Sequence, residues 1–222
     1  MEVDEHVRAE PLRPMRILIV GATGRTGRLL VARALSRGHQ VTALVRDPSR
    51  LTLVHDRLLV VVGDVRKPET IAPAMADQDA VVSMLSQSTA SVVTIFSEGT
   101  QALADAAEAA GVRRFVAVSA APVGVEPQRL PLAVRVVLLL PHLNVVYEDM
   151  ARMEADLMSR DALDWTIVRP AVLSDGPGSH FRIEVGELVP GGVTTSRRDL
   201  ALLLLQVVET DAFIHERVAI AD

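Results

Sequence analysis

The feature that most restricts how this chain can fold is a glycine pattern, Gly21-Ala22-Thr23-Gly24-Arg25-Thr26-Gly27. It follows the apolar run Arg16–Val20 directly and opens a helical pattern at 25–37. In a strand–turn–helix unit, Gly21 permits the tight turn off the strand, Gly24 lets backbone approach a pyrophosphate, and Gly27 lets the helix pack close to the sheet. The start of the helix then offers unpaired N–H groups and a positive dipole end to phosphates. At the first strand-to-helix junction, this G-x-x-G-x-x-G spacing reads as a dinucleotide cradle.

The rest of the chain keeps the same rhythm. Short apolar runs at Arg16–Val20, Val41–Val45, Leu58–Val62, Ala80–Leu85, Phe115–Ser119 and Trp165–Val168 predict strands. Helical patterns fall between or after them at 25–37, 68–77, 92–110, 146–160 and 197–209, with Gly38 and Gly111 where helices end. Nearly continuous apolar strands belong to a parallel sheet covered on both faces. The expected fold class is therefore α/β: a Rossmann-like, doubly wound parallel sheet with right-handed crossovers. Residues 1–14 read as a flexible leader and 15–222 as one domain. Its C-terminal third, with short strands at Phe181–Val185 and Arg217–Ile220, is expected to supply a small substrate-side subdomain, drawn mainly from 120–145 and 171–195.

Composition removes several alternatives. A hydrophobic fraction of 49% over 222 residues supplies a core without staples, and there is no cysteine for disulfides, thiol chemistry or thiolate metal sites. A net charge of -5 gives no general footprint for nucleic acid. The uncharged run Ala80–Ser97 holds five serines and is too polar for a bilayer, while Leu130–Pro141 is short and interrupted by Pro131 and Arg135. No membrane partner is expected, and a charged opening segment makes the cytoplasm the default compartment. The six histidines lack metal-ligand spacing, and no G-x-S-x-G, P-loop or paired-carboxylate pattern occurs.

The end of the second strand bears on which dinucleotide is held. An acid there binds a ribose 2′-hydroxyl, whereas arginine accommodates a 2′-phosphate. Arg46 occupies that position and Arg50 lies one turn later, which favours NADP. Asp47 sits one residue late and keeps NAD open as the alternative. Since 22 of the 23 basic residues are arginine, both could also be plain surface charges.

Taken together, the GATGRTG loop, Leu44–Arg50, Gly63-Asp64-Val65 and Trp165–Pro170 resemble the atypical short-chain dehydrogenases. Within them the chain is most similar to the NAD(P)H-binding, NmrA-like group that includes flavin reductase, also called biliverdin-IXβ reductase. The resemblance implies that Thr23, Gly24, Arg25 and Thr26 hold phosphates and that Arg46 and Arg50 hold the 2′-phosphate. It further implies that Asp64 and Val65 flank adenine, that Leu85 and Ser86 line the nicotinamide ribose, and that Pro170 and Val172 meet the carboxamide. Ser119 matches a serine beside the nicotinamide. Ala171 stands where the reductase carries histidine, which puts tetrapyrrole reduction in doubt.

The usual proton donor of short-chain dehydrogenases is a tyrosine assisted by a lysine four residues on. Here the only tyrosine is Tyr147, Ala151 follows at that spacing, and the only lysine is Lys67. Two classes of function remain. One is an NADPH-dependent reductase of a small planar acceptor, such as a flavin or quinone, with Ser119 and Tyr147 as candidate catalytic groups. The other is a non-catalytic NADP-binding sensor of the NmrA-like kind, and either would act as a monomer or homodimer. Weaker candidates are Arg129 and His142 around the apolar segment, and Asp149 and Glu154 on a helix expected to line the cleft. Ser196 is expected to cap the last helix, with Arg198 or Asp199 closing a structural ion pair.

Overall fold

Strand β1, Arg16–Val20, buries Ile17 and Ile19 on one face and Leu18 and Val20 on the other. Successive strand residues point to opposite sides, so a strand apolar at every position needs cover on both. The computed structural model describes residues 13–86, 93–126, 128, 130, 135, 141–178 and 180–222. Within them β1 pairs in parallel with β2 (Gln40–Val45) and with β4 (Ala80–Ser83). Outward from these lie β3 (Leu58–Val62), β5 (Arg114–Val118) and β6 (Asp164–Pro170), all parallel. Then come β10 (Glu216–Ala221) and, antiparallel to it, β8 (Arg182–Val185). The eight-stranded order is β3-β2-β1-β4-β5-β6-β10-β8, the doubly wound α/β arrangement expected from the sequence.

Helices α1 (Arg25–Ser36) and α5 (Arg197–Glu209) cover one face, through Leu30, Val31, Leu204 and Val208. The other is covered by α2 (Ala72–Met75), α3 (Ser97–Ala110) and α4 (Pro141–Met158), through Met75, Leu103, Met153 and Leu157. Buried His39 ties α1 to α5: its Nδ1 accepts the Met15 N–H at 3.1 Å, and its Nε2 lies 2.8 Å from Glu209 Oε1. With Nδ1 accepting, the ring proton sits on Nε2 and faces the carboxylate.

Most predicted elements lie within a residue or two of their expected ends, and the departures have local causes. The pattern at 68–77 is a 3₁₀ turn, Pro68–Thr70, followed by the short α2; Pro73 offers no N–H, and Asp77 leaves the helical region at φ 60°. Helix α3 begins at Ser97 because Asp149 ends its N-terminal side, accepting the Phe96 N–H at 2.9 Å and the Ser97 N–H at 3.3 Å. Two strands were not anticipated, β7 (Val172–Ser174) and β9 (Thr194–Ser196), which form a separate parallel pair. At three residues each they are too short to carry a period. Residues 1–12, Arg129, the side chain of His142 and nearly all of Leu130–Leu140 lie outside the described residues.

Asp149 and Glu154 do not face the cleft as expected. Both are buried, Asp149 at the α3 start and Glu154 against Arg169 of β6, where Arg169 Nε donates to Glu154 Oε1 at 2.9 Å and its Nη2 meets Oε2. Removing one member of such a pair leaves an uncompensated interior charge. Glu154→Ala should therefore lower stability by about 3–5 kcal/mol in urea denaturation; a loss below about 1 kcal/mol would mean that Arg169 finds another partner.

Candidate functional site

The strand order reverses between β1 and β4, and a cleft of about 480 Å³ opens there at the carboxyl ends of the strands. Such a crevice is where open α/β sheets hold ligands. It is lined by Gly21, Thr23, Gly24, Arg25, Thr26 and Gly27 from the first loop, and by Arg46 and Arg50 after β2. Asp64 and Val65 after β3, and Leu85 and Ser86 after β4, complete the residues the sequence had singled out for this wall.

Two glycines are fixed by steric necessity. Gly21 has φ +90°, and a Cβ on it would lie 2.3 Å from the Met84 carbonyl oxygen; a Cβ on Gly27 would lie 2.1 Å from the Gly21 carbonyl oxygen. Both contacts are with backbone and cannot be relieved by turning a side chain. Gly24 is the N-cap of α1 and brings no side chain to cap it, and no acidic residue occupies the first turn. The first N–H groups of α1 thus carry no side-chain cap and no acid of their own first turn, which suits an anionic ligand.

The charge around this cradle is one-sided. Among the described residues, Arg25, Arg46, Arg50, Arg66 and Arg197 line the cleft against a single lining acid, Asp64, in a chain whose net charge is -5. Asp64 Oδ1 accepts the Arg66 N–H at 3.0 Å, which shapes the turn after β3. Asp47 is not on the wall. Its carboxylate caps the 3₁₀ turn Pro48–Arg50, accepting from the Ser49 hydroxyl at 2.6 Å and the Ser49 N–H at 3.0 Å. The Ser49 hydroxyl and amide, with Arg50 nearby, hold that carboxyl below the ordinary aspartate range.

A sequence profile described as NAD(P)H-binding matches residues 21–211. The chain belongs to this NAD(P)H-binding family. Among curated relatives, it is 28% identical over 211 residues to the photosystem II assembly factor Ycf39 of Synechocystis sp., covering 89% of this chain and 60% of that protein. It is 41% identical over 119 residues to a 3-diazoavenalumate denitrifying reductase of Streptomyces sp., covering 48% and 38% respectively. The chain thus spans less than two thirds of the length of either. Among solved structures, a short-chain dehydrogenase/reductase of Veillonella parvula in complex with NADP superposes with a TM-score of 0.81 at 16% identity, covering 95% of each chain. The oxidoreductase ylbE of Lactococcus lactis gives 0.79 at 24%, covering 94% of this chain and 91% of its own. At these identities the superpositions establish the Rossmann-like fold.

The remaining sequence candidates fall elsewhere. Pro170 and Val172 line a second cavity of about 260 Å³ rather than the cleft, together with Ala120, Ala121, Leu130 and Tyr147. On β7, Leu173 lines the cleft and Val172 the cavity; residues one apart on a strand point to opposite sides, so this strand forms a wall between the two spaces. At the end of β5, Val118 lines the cleft and Ala120, two residues on, lines the cavity, so the chain passes from one space to the other there. Ser119 sits at that passage at 4% exposure, its Oγ without a hydrogen-bond partner among the described residues. Burial holds the Tyr147 phenol above its ordinary range. Among the described residues no three potential ligands gather around a metal position, and no helix is long and apolar enough to cross a membrane.

The sequence reading missed Leu173, Leu200 and Arg197, which close the cleft from the C-terminal side. Arg197 was read only as part of a helix start, and its Nη1 meets Asp175 Oδ1 at 2.9 Å. A cation pair at the start of a helix, where the dipole favours anions, was the available signal.

Two outcomes test this geometry. Gly27→Ala should destabilise the fold by about 1–3 kcal/mol in thermal melts, since α1 must move off the loop; an unchanged melt would contradict the close approach. Because Tyr147 is the only tyrosine, absorbance titration reports it alone. Its midpoint should lie above the ordinary value of 10.

Proposed function

We propose that the chain is an NADPH-dependent reductase of a small planar acceptor. The observation that carries this reading is that Arg46 and Arg50 line the cleft at the end of β2 while Asp47 is turned away onto Ser49. A ribose 2′-hydroxyl would want an acceptor there; two guanidiniums instead suit a 2′-phosphate. The glycine loop and the open α1 N-terminus suit the pyrophosphate, and Asp64 and Val65 the adenine. Leu85 and Ser86 continue the wall toward the nicotinamide ribose.

When bound, the reduced nicotinamide supplies a hydride. The chain's own part is to orient and exclude water, the larger share of catalysis with such cofactors. Ser119 offers a buried hydroxyl with no partner among the described residues, suited to a carboxamide or acceptor oxygen between the two spaces. The second cavity, whose described side chains are apolar apart from Tyr147, fits the flat face of a neutral acceptor, with Pro170 and Val172 on its wall. We assign the acceptor side to segments 120–145 and 171–195 of a domain spanning 15–222. With no lysine beside it, Tyr147 stays a neutral phenol that can donate a hydrogen bond, and the proton completing reduction comes from solvent. This favours acceptors whose reduced form is already stabilised, such as quinones and flavins.

A second reading, a non-catalytic NADP-binding regulator, is favoured by one observation: the relative matched over 89% of this chain is named an assembly factor, not a reductase. NADPH oxidation with FMN, a quinone and an enone separates the two. Turnover above background supports the reductase; background rates with coenzyme binding intact support the regulator. Arg46→Ala should weaken NADP by about 1.5–3 kcal/mol, roughly ten- to a hundred-fold, and leave NAD nearly unchanged in calorimetry. Equal losses for both coenzymes would overturn the NADP preference.

A further inference from the structure

The mouth of the cleft is crossed by a chain of three charges. Asp175, just after β7, pairs through Oδ1 with Arg197 Nη1 at 2.9 Å and through Oδ2 with Arg25 Nη2. Arg25 opens α1 and Arg197 opens α5, so one carboxylate bridges the starts of the two helices that cover the same face of the sheet. Both arginines line the cleft. Their freedom differs: the Arg197 side chain is 16% exposed and the Arg25 side chain 66%.

The loop carrying Asp175 is anchored to α5. Ser196 Oγ donates to the Gly176 carbonyl at 3.1 Å while accepting the Arg198 N–H at 3.1 Å. Gly178, at φ +65°, packs so closely that a Cβ would lie 2.6 Å from Asp199 Oδ1. The carboxylate is therefore presented from the α5 side toward an exposed guanidinium on the α1 side, next to uncapped N–H groups. It is an internal anion held where the cradle is suited to phosphate.

Resting on the coenzyme reading above, we propose that Arg197 is a second coenzyme-binding arm opposite Arg25. The two guanidiniums grip the pyrophosphate, and Asp175 is the resident anion they hold until the phosphates displace it. A diphosphate offers more charge and more acceptor oxygens than one carboxylate, and guanidiniums bind such groups through paired hydrogen bonds. Exchange of partners avoids leaving either arginine unpaired at any stage. It also makes Asp175 a competitor that sets how tightly any dinucleotide binds, whatever its 2′ substituent.

Calorimetric titration with NADP, NAD and adenosine 2′-monophosphate tests this, since the last has the 2′-phosphate but no pyrophosphate. Arg197→Ala should weaken NADP and NAD by the same factor, about ten-fold or more, and leave adenosine 2′-monophosphate unchanged. Asp175→Asn should tighten both dinucleotides several-fold. Arg197→Gln, of similar length, gives the same comparison if the alanine variant has no cooperative melt. Dinucleotide binding that is unaffected by loss of Arg197 would remove the second arm. Weaker binding in Asp175→Asn would mean that the carboxylate positions the arginines and is not displaced. If wild-type protein takes up neither dinucleotide, the coenzyme reading itself falls; normal uptake with an indifferent Arg197 removes the clamp alone.

Discussion

Two backbone-to-backbone approaches organise the molecule: Gly27 over the Gly21 carbonyl, and Gly21 against the Met84 carbonyl. The first draws the start of α1 onto the turn after β1. The second holds that turn against the chain leaving β4, at the place where the strand order reverses. Neither tolerates a methyl group, because the obstructing atom in each case is a main-chain oxygen. Once these contacts are made, the ends of β2, β3 and β4 converge around a helix terminus, and the side chains that follow them inherit a shared cleft.

Electrostatics then gives the cleft its character. A chain with excess negative charge turns five arginines toward one space and keeps its nearby acids engaged. Asp47 is held by Ser49, Asp64 by the turn it shapes, and Asp175 by Arg25 and Arg197. The contrast with the second cavity is sharp: its described lining offers one hydroxyl and no charge. One space is rich in guanidinium groups and the other in apolar side chains, and the Ser119 hydroxyl, without a partner among the described residues, lies between Val118 of the first and Ala120 of the second.

How much of this the sequence disclosed follows from how local each signal is. The glycine cradle and the Arg46–Arg50 turn are encoded in consecutive residues, and the twelve residues expected on the coenzyme wall from Gly21 to Ser86 do line one cleft. The C-terminal side was harder. Asp175 and Arg197 lie 22 positions apart and meet only through the three-residue pair β7–β9, which has no periodic signature. Asp149 and Glu154 look from their spacing like acids on a helix face; nothing local reveals that one caps α3 and the other meets Arg169. Pro170 and Val172 are adjacent to the cleft in sequence, but the side to which a strand residue points is decided by pairing, and theirs is the second cavity.

The sheet is not completed in the order of the chain. Among the described residues strand β8 pairs only with β10, and β10 lies between β6 and β8. The β8–β10 pairing spans 33 positions at Val185 and Val218, but the β1–β4 pairing that frames the cleft spans 63 at Ile17 and Ala80. Pairings that enclose more chain close more slowly because longer loops must be ordered first. Val189 and Gly192, which pack against Ala221, gain that neighbour when β10 enters the sheet. Both ends of the molecule therefore wait on distant segments, and the charged cleft has no head start over the apolar cavity.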